Sequence, residues 1–247
     1  ANATSINAFS KPDTIIGLNP LTIYNVRVKG ICDQTHQSVW SSIVNFTTIN
    51  GIPFTENFAS TTYPPTNWTR LTGLASAAFT GTLPTTTTSG WSRVTTGNGI
   101  SNAHPKVNIY GTSCKYWLVT PNIDLGSNSN AALSFDLART AFNSPNPAAQ
   151  TGTDDKFMVI ISNDNGATWT QANATIWDNA GSSRVYNNIS NTAQTVILNL
   201  SSYVNKTIKV AFYAESTVSN ADNDLHIGNV KIDIIPTCPQ PTGLAVN

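Results

Sequence analysis

Residues 207–215 read TIKVAFYAE, and residues 225–234 read LHIGNVKIDI. In both stretches apolar side chains recur at every second position, which is the period of a β-strand with one buried face. In the second stretch this alternation slips by one residue at Gly228-Asn229. A slip of one residue predicts a β-bulge inside the last strand.

Three further stretches predict strands: residues 132–138, 156–161 and 195–200. Residues 156–161 are apolar on both faces, as expected of a central strand. Turn-rich segments separate the strands, β-branched residues are abundant, and no helical period is visible. The sequence therefore predicts an all-β, antiparallel sandwich.

The composition excludes several classes of partner. Charged residues make up 11% of the 247 residues, and the 13 basic and 13 acidic residues give a net charge of zero. A nucleic-acid or polybasic membrane-surface protein needs an excess of positive charge, so neither is predicted. Since no stretch of about 18 apolar residues occurs, membrane insertion is not predicted either.

The segment Leu18–Tyr24, LNPLTIY, resembles the L-x-P-x-T-x-Y segment of fibronectin type III domains. The resemblance implies that the Tyr24 hydroxyl bonds to upstream backbone and that strands follow near Val26–Val28 and Ser41–Thr47. Residues 1–50 are accordingly predicted to be the C-terminal half of a fibronectin type III-like domain.

Residues 238–244, CPQPTGL, resemble the opening strand of another such domain. Residues 236–247 are therefore predicted to be a linker and the first strand of a following fibronectin type III-like domain. The resemblance implies that Cys32 and Cys238 each have a partner in another module, while free thiols or a mutual disulfide stay open. Cys114 is predicted to be a small buried apolar residue.

Residues 51–235 contain several ordered motifs, among them FTENF at 54–58, YWLVTPNIDL at 116–125 and VIISNDNGATW at 159–169. These resemble the cleaved-adhesin and choice-of-anchor J modules, relatives of the MAM domain in Bacteroidetes-type bacteria. The resemblance implies a jelly-roll β-sandwich that is secreted or held on the bacterial cell surface.

Catalysis is not predicted for this chain. Residues 162–169 match the Asp-box pattern of sialidases, but a single copy is typical of a structural hairpin. Asp154-Asp155 are expected to be a solvated pair, and no H-E-x-x-H or G-x-S-x-G motif occurs. The histidines fall in unrelated contexts, at His36, His104 and His226.

A structural Ca²⁺ ion is implied by the jelly-roll resemblance. Ca²⁺ takes six to eight oxygen ligands and tolerates loose geometry. Glu56 matches the acidic residue of the first strand, and Asn229 occupies the bulge of the last strand. Asp222 and Asp224 precede that bulge and complete the predicted set of metal ligands.

Aromatic side chains in polar surroundings are candidates for stacking on the face of a sugar ring. Trp68 and Trp117 lie in apolar motifs and are predicted to be core residues. The predicted ligand-binding residues are Trp91, Tyr110, Trp177 and Tyr186.

The leading hypothesis is a non-catalytic extracellular adhesion or binding module of a large multi-domain bacterial protein. It would bind a glycan or a host or matrix protein through the loops at one end of the jelly roll, beside neighbouring modules of the same polypeptide. One alternative is a spacer or assembly element of a surface filament. Another is an accessory domain of a secreted peptidase.

Overall fold

The computed structural model describes residues 5–8, 15, 17–20, 22–33, 35–95, 99–219 and 221–235. The chain divides into two compact units, Ala1–Asn50 and Gly51–Asn247. The predictions for residues 236–247, including Cys238, lie outside the described residues. In the described part of the chain, no helix has the length and apolar character needed to cross a membrane.

In the first unit, β1 (Ile23–Val26) and β2 (Val44–Thr47) form an antiparallel hairpin. The rings of Tyr24 and Phe46 stack across it, with centroids 5.9 Å apart. The Tyr24 hydroxyl accepts a 2.9 Å hydrogen bond from the backbone N–H of Asn19, so the predicted upstream contact is confirmed. The assignment of residues 1–50 to half of a fibronectin type III domain stays a prediction.

The other strands are β3 (Asn50–Gly51), β4 (Phe54–Glu56), β5 (Thr69–Thr72), β6 (Thr85–Thr86), β7 (Ser92–Val94), β8 (His104–Ile109), β9 (Cys114–Val119), β10 (Ile123–Asp124), β11 (Ala131–Ala141), β12 (Lys156–Ser162), β13 (Ala174–Asp178), β14 (Arg184–Val185), β15 (Gln194–Asn199), β16 (Thr207–Ser216) and β17 (Asn223–Ile234). The helical segments are one short α-helix, α1 (Ala75–Phe79), and the 3₁₀ turns Gln171–Asn173, Tyr186–Asn188 and Ser201–Tyr203.

The larger sheet of the second unit has the strand order β14-β13-β12-β16-β9-β5-β6, with β10 also paired to β16. The smaller sheet has the order β15-β11-β17-β8-β7, with β4 also paired to β17. Apolar side chains from both sheets form one core between them, including Phe135 of β11 and Phe157 and Phe212 of the larger sheet. The all-β sandwich is therefore confirmed, and β12 is a central strand as predicted.

The predicted bulge lies in β17. Its register against β11 pairs Lys231 with Ser134 but Gly228 with Asp136, so β17 has one residue more than its partner in this interval. Asn229 adopts a φ of 47°, a left-handed conformation that asparagine tolerates better than most residues. The extra residue keeps apolar side chains of both halves of β17 directed at the core.

The outer face of the larger sheet carries a second cluster of buried apolar residues. Trp117 is at its centre, 4.8 Å from the Tyr213 ring and 5.5 Å from the Trp169 ring, measured between centroids. Ala75 and Ala78 of α1 pack on this cluster. Since α1 has only five residues, its sequence shows no helical period, and the helix was not predicted.

Candidate functional site

Three strand ends meet at one end of the sandwich. Asn223, the first residue of β17, is paired with Ile109 at the end of β8 and with Ala141 at the end of β11. The loops that follow β8 and β11, and the loop that precedes β17, therefore leave the sheet side by side. The resemblance predicted binding by loops at such an end.

Exposed aromatic side chains flank β17 at this end. Tyr110 follows β8 and is 46% exposed, and Phe142 follows β11 and is 47% exposed. Because one strand separates them, their backbones are about 10 Å apart, or two inter-strand spacings. Val218, which is 51% exposed, and Asp222 lie in the loop that leads into β17. We call Tyr110, Phe142, Val218 and Asp222 the loop-end surface.

Hydrogen bonds hold the loop after β11 against the sheet. The carboxylate of Asp224 accepts from the Lys106 ammonium at 2.9 Å and from the backbone N–H of Asn143 at 2.8 Å. Lys106 also donates to the Asn143 side-chain oxygen at 2.8 Å, and its Nζ lies 5.6 Å from the centroid of the Phe142 ring. Phe142 is thus presented by a fixed loop.

The loop before β17 is fixed by Asn108. Its side-chain N–H₂ lies 2.6 Å from Oδ1 of Asp222, 3.1 Å from the carbonyl oxygen of Asn223 and 3.3 Å from Oδ1 of Asp224. Asp222 therefore has a defined position between the two exposed aromatic side chains.

Beneath the loop-end surface, the side chain of Asn223 joins several buried polar groups. Its oxygen accepts from the Tyr186 hydroxyl at 2.7 Å and from Nε of Arg139 at 3.2 Å. Its nitrogen lies 3.1 Å from the carbonyl oxygen of Ile109 and 3.2 Å from Oδ2 of Asp155. Asn223 therefore couples a buried cation, a buried carboxyl and a buried phenol.

Asp155 is fully buried, so the prediction of a solvated Asp154-Asp155 pair is wrong for this residue. The carboxyl group precedes β12 and turns inward to Asn223, a contact that no local sequence pattern predicts. Burial raises the pKa of Asp155 from its ordinary value of 3.8 to about 6. Above that pH the folded chain holds a buried negative charge.

Replacing Asp155 by asparagine is expected to stabilise the protein at pH 7 and to leave its stability unchanged near pH 4. The folded-state pKa is about 6 and the ordinary value is 3.8, so ionisation of Asp155 opposes folding at pH 7. The penalty amounts to up to about 3 kcal/mol, and it disappears as the pH falls from 6 to 4 because the folded state takes up a proton first. Urea unfolding of both proteins at each pH measures it. A variant that is less stable than the wild type at pH 7 would contradict the prediction.

His104 and His226 are in contact, which corrects the prediction that the histidines have unrelated contexts. Nε2 of His104 lies 2.9 Å from Nδ1 of His226, whose Nε2 lies 3.1 Å from the Thr140 hydroxyl. Both rings are fully buried, and burial together with the neighbouring His104 lowers the pKa of His226 to about 3. The pair is neutral and out of reach of a substrate.

The residues predicted to bind Ca²⁺ lie in two separate places. Glu56 is paired with Val230, next to Asn229, whereas Asp222 and Asp224 are at the opposite end of β17. Six residues of strand correspond to about 20 Å. The side chain of Asn229 donates to Asp136, and Asp224 is ion-paired with Lys106. These four residues therefore do not fit a single Ca²⁺ ion.

No group of three or more His, Cys, Asp or Glu side chains suited to a metal ion occurs among the described residues.

Of the four aromatic residues predicted to bind a ligand, Tyr110 is exposed. Trp91, Trp177 and Tyr186 are 5% exposed or less and belong to the core between the sheets. Their ring faces are covered by other side chains, so the expectation that these three stack on a sugar at the surface is corrected. Trp68 and Trp117 are core residues as predicted.

The Asp-box segment forms a self-contained turn, as predicted. Asp164 accepts hydrogen bonds from the Ser162 hydroxyl at 2.7 Å and from the Thr168 backbone at 3.0 Å. Hydrogen bonds from the Thr168 and Ser162 side chains hold the pKa of Asp164 at about 2. Gly166 adopts a φ of 82°, and Trp169 packs inward on Trp117.

Phe142 and Val218 are the residues of the loop-end surface that were missed. Phe142 begins a Pro-containing stretch that the sequence indicates to be an exposed loop. A large aromatic side chain in an exposed loop is a sequence feature from which Phe142 could have been predicted as a binding residue. Nothing in the sequence places Val218 beside it.

Solved structures similar to this chain include the K1 cleaved adhesin domain of Lys-gingipain from Porphyromonas gingivalis W83. The identity is 17% and the TM-score 0.47, over 74% of this chain and 98% of that chain. Cleaved adhesin domains were the resemblance drawn from the sequence motifs, and they recur among the structural neighbours.

A family 11 carbohydrate-binding module from Clostridium thermocellum is 12% identical, with a TM-score of 0.36 over 72% of this chain and 94% of that chain. The glycoside hydrolase domain of Endo-D from Streptococcus pneumoniae R6 is 14% identical, with a TM-score of 0.42 over 62% of this chain and 22% of that chain. All three TM-scores are below 0.5, so the functions of these proteins are not transferred to this chain. No family profile and no curated protein matches the sequence.

Proposed function

We propose that this chain is a non-catalytic binding module that holds a glycan on its loop-end surface. The observation that supports this is the pair of half-exposed aromatic side chains, Tyr110 and Phe142, on either side of β17. Aromatic faces bind the apolar faces of sugar rings, and exposed aromatic residues on a fixed scaffold lose little entropy on binding. The setting would be a secreted or surface-exposed multi-domain bacterial protein.

The polar groups of the loop-end surface orient the bound glycan. Asp222 is fixed by Asn108, and its carboxylate is the acceptor that we propose for hydroxyl groups of the bound ring. The Lys106–Asp224–Asn143 contacts keep the Phe142 loop in place before the ligand arrives. Such support is what a preorganised binding site requires.

The non-catalytic part of the proposal rests on where the titratable groups lie. The histidine pair His104–His226 and the Asp155–Asn223–Arg139 group are both buried under the loops. General acid–base catalysis needs its groups within hydrogen-bonding reach of the substrate. At the loop-end surface, Asp222 is the one carboxyl group, and Tyr110, Phe142 and Val218 provide contact area suited to binding.

A spacer or assembly role is favoured by one observation in the first unit. The hairpin of β1 and β2 exposes large apolar side chains, including Ile23 at 72% and Val44 at 64%. A two-stranded hairpin is only marginally stable by itself, so this face is suited to being covered by another protein segment. A role as an accessory module of a secreted peptidase stays a prediction.

Truncation of either exposed aromatic residue is expected to weaken glycan binding without unfolding the protein. An immobilised glycan library is probed with the wild type and with the variants Tyr110→Ala and Phe142→Ala. We expect saturable binding to a neutral glycan that weakens at least about tenfold in each variant, since each loses a stacking surface. Both side chains are half exposed, so melting temperatures should change little.

Ile197→Ala is the matched control, because Ile197 is 60% exposed on β15 and lies outside the loop-end surface. Its binding should equal that of the wild type. Unchanged binding in both aromatic variants would refute the loop-end surface as the site. If a matrix protein is bound in place of any glycan, and the same two variants lose it, the ligand class is wrong and the site is right.

A further inference from the structure

A groove lies on the outer face of the larger sheet, well apart in sequence from the loop-end surface. Its volume is about 100 Å³. Thr69 and Leu71 of β5 and Lys209 of β16 line it on the sheet side. Leu83 borders it after α1, and Asn165 and Trp169 border it from the Asp-box turn. An enclosed cavity of about 150 Å³ holds one benzene molecule, so this groove can take part of a single ring.

Lys209 is the charged residue among those that line the groove. It is half-buried at the beginning of β16, where its register partner is Ser162 of β12. Within the described residues, its ammonium has neither an ion-pair partner nor a hydrogen-bond acceptor. A half-buried ammonium on an apolar wall is stabilised by an anion that approaches it.

Asp164 of the Asp-box turn forms no ion pair with Lys209 within the described part of the chain. Its oxygens accept from Ser162 and Thr168 inside the turn. Those hydrogen bonds also hold its pKa at about 2, so Asp164 is ionised at neutral pH and its carboxylate is held by the turn. Among the residues that line the groove, the formal charge is therefore the positive charge of Lys209.

The groove is bordered by apolar side chains on two sides and by hydrogen-bonding groups beside them. Leu71 and Leu83 provide the apolar contact, and Asn165 and Thr69 provide an amide and a hydroxyl. An amphipathic ring with hydroxyl groups and one carboxylate matches these features one by one.

A peptide is less well matched, because β9 under the groove has no free backbone edge. β9 is paired on one side with β5 and on the other with β16. An extended peptide therefore cannot add to the sheet at β9 through main-chain hydrogen bonds, which are its usual source of affinity.

We propose that the groove beside Lys209 binds the uronic acid residue of an acidic glycan. The ring packs on the side chains of Leu71 and Leu83, and the carboxylate accepts hydrogen bonds from the Lys209 ammonium. The proposal does not rest on the loop-end surface, since the two sites share no residue. A module with both sites would contact an acidic polysaccharide at two points.

The test is titration of the whole chain with methyl glucuronide and with methyl glucoside, followed by NMR chemical shifts of the Trp169 indole N–H. We expect the glucuronide to bind in the millimolar range and the neutral glucoside at least about tenfold more weakly. In Lys209→Met the glucuronide should lose at least about tenfold in affinity, and its binding in the wild type should weaken with added salt.

Lys206→Met is the matched control, because Lys206 is an exposed lysine that does not line the groove. It should bind the glucuronide as the wild type does. Equal affinity for the two sugars, full binding by Lys209→Met, or no binding of either sugar would overturn the proposal. A third titration with N-acetylglutamate separates sugar from carboxylate: equal binding of this acid would overturn the assignment to a uronic acid.

Discussion

Asn223→Ala is expected to lower the free energy of unfolding by about 4 to 6 kcal/mol, since it leaves several buried polar groups unpaired at once. The Tyr186 hydroxyl, Nε of Arg139 and Oδ2 of Asp155 each lose the partner that Asn223 provides. All of these groups are buried, so water does not replace the lost contacts. Urea unfolding at pH 7 measures the loss.

The control for this variant is Asn163→Ala. Asn163 is exposed, and its side chain forms no hydrogen bond with the described residues, so its truncation should change stability by less than about 0.5 kcal/mol. Tyr186→Phe removes one of the hydrogen bonds and should cost about 1 to 2 kcal/mol. If Asn223→Ala does not fold, the stability of Tyr186→Phe still measures the contribution of one hydrogen bond to Asn223. A loss below about 1.5 kcal/mol for Asn223→Ala would show that the groups find other partners.

Gly90→Ala is expected to lower the free energy of unfolding by about 4 kcal/mol, because backbone strain and a steric clash add together. Gly90 adopts a φ of +81°, and a Cβ atom there would lie 2.3 Å from Cγ of Tyr116 and 2.7 Å from its Cβ. These atoms are next to the backbone of β9 and cannot swing away. The close approach at Gly90 also places Trp91 in the core, with its indole N–H donating to the Tyr116 carbonyl.

Gly81→Ala separates the two contributions. Gly81 has a similar φ of +99°, but nothing lies within 4 Å of an added Cβ. The free energy of unfolding of Gly81→Ala should therefore fall only by the cost of backbone strain, about 1 to 2 kcal/mol. Thermal or urea unfolding of the two variants side by side gives the difference. An equal loss of unfolding free energy in the two variants would mean that the Tyr116 side chain moves aside and that the clash costs little.

The features that could be predicted from the sequence depend on residues close to one another along the chain. The apolar alternation in residues 207–215 and 225–234 predicted two long strands, and its slip predicted the bulge at Asn229. The Asp-box turn likewise depends on hydrogen bonds within residues 162–169. The contact between Tyr24 and Asn19 spans five residues. The strands and the bulge follow from a local apolar pattern, whereas the Tyr24 contact was implied by the resemblance to fibronectin type III domains.

The errors concern contacts between residues that are far apart along the chain. His104 and His226 meet because β8 and β17 are neighbours, although 122 residues separate them. Trp91 and Trp177 have polar neighbours in sequence, but their strands lie over the common core. Asp155 is buried because Asn223 supplies its partner. Local polarity could not predict these, since burial depends on which strands pair.

The bulge in β17 affects the order in which neighbouring strands separate from the smaller sheet. On the side opposite β11, residues Asn223–His226 of β17 are paired with β8, and Val230–Ile232 are paired with β4. The bulge at Asn229 lies between the two pairings, so each neighbour can detach while the other stays bound. β4 contributes three residues to its pairing and should release first. Backbone amides near Phe54 are thus expected to exchange with deuterium sooner than those near Val107.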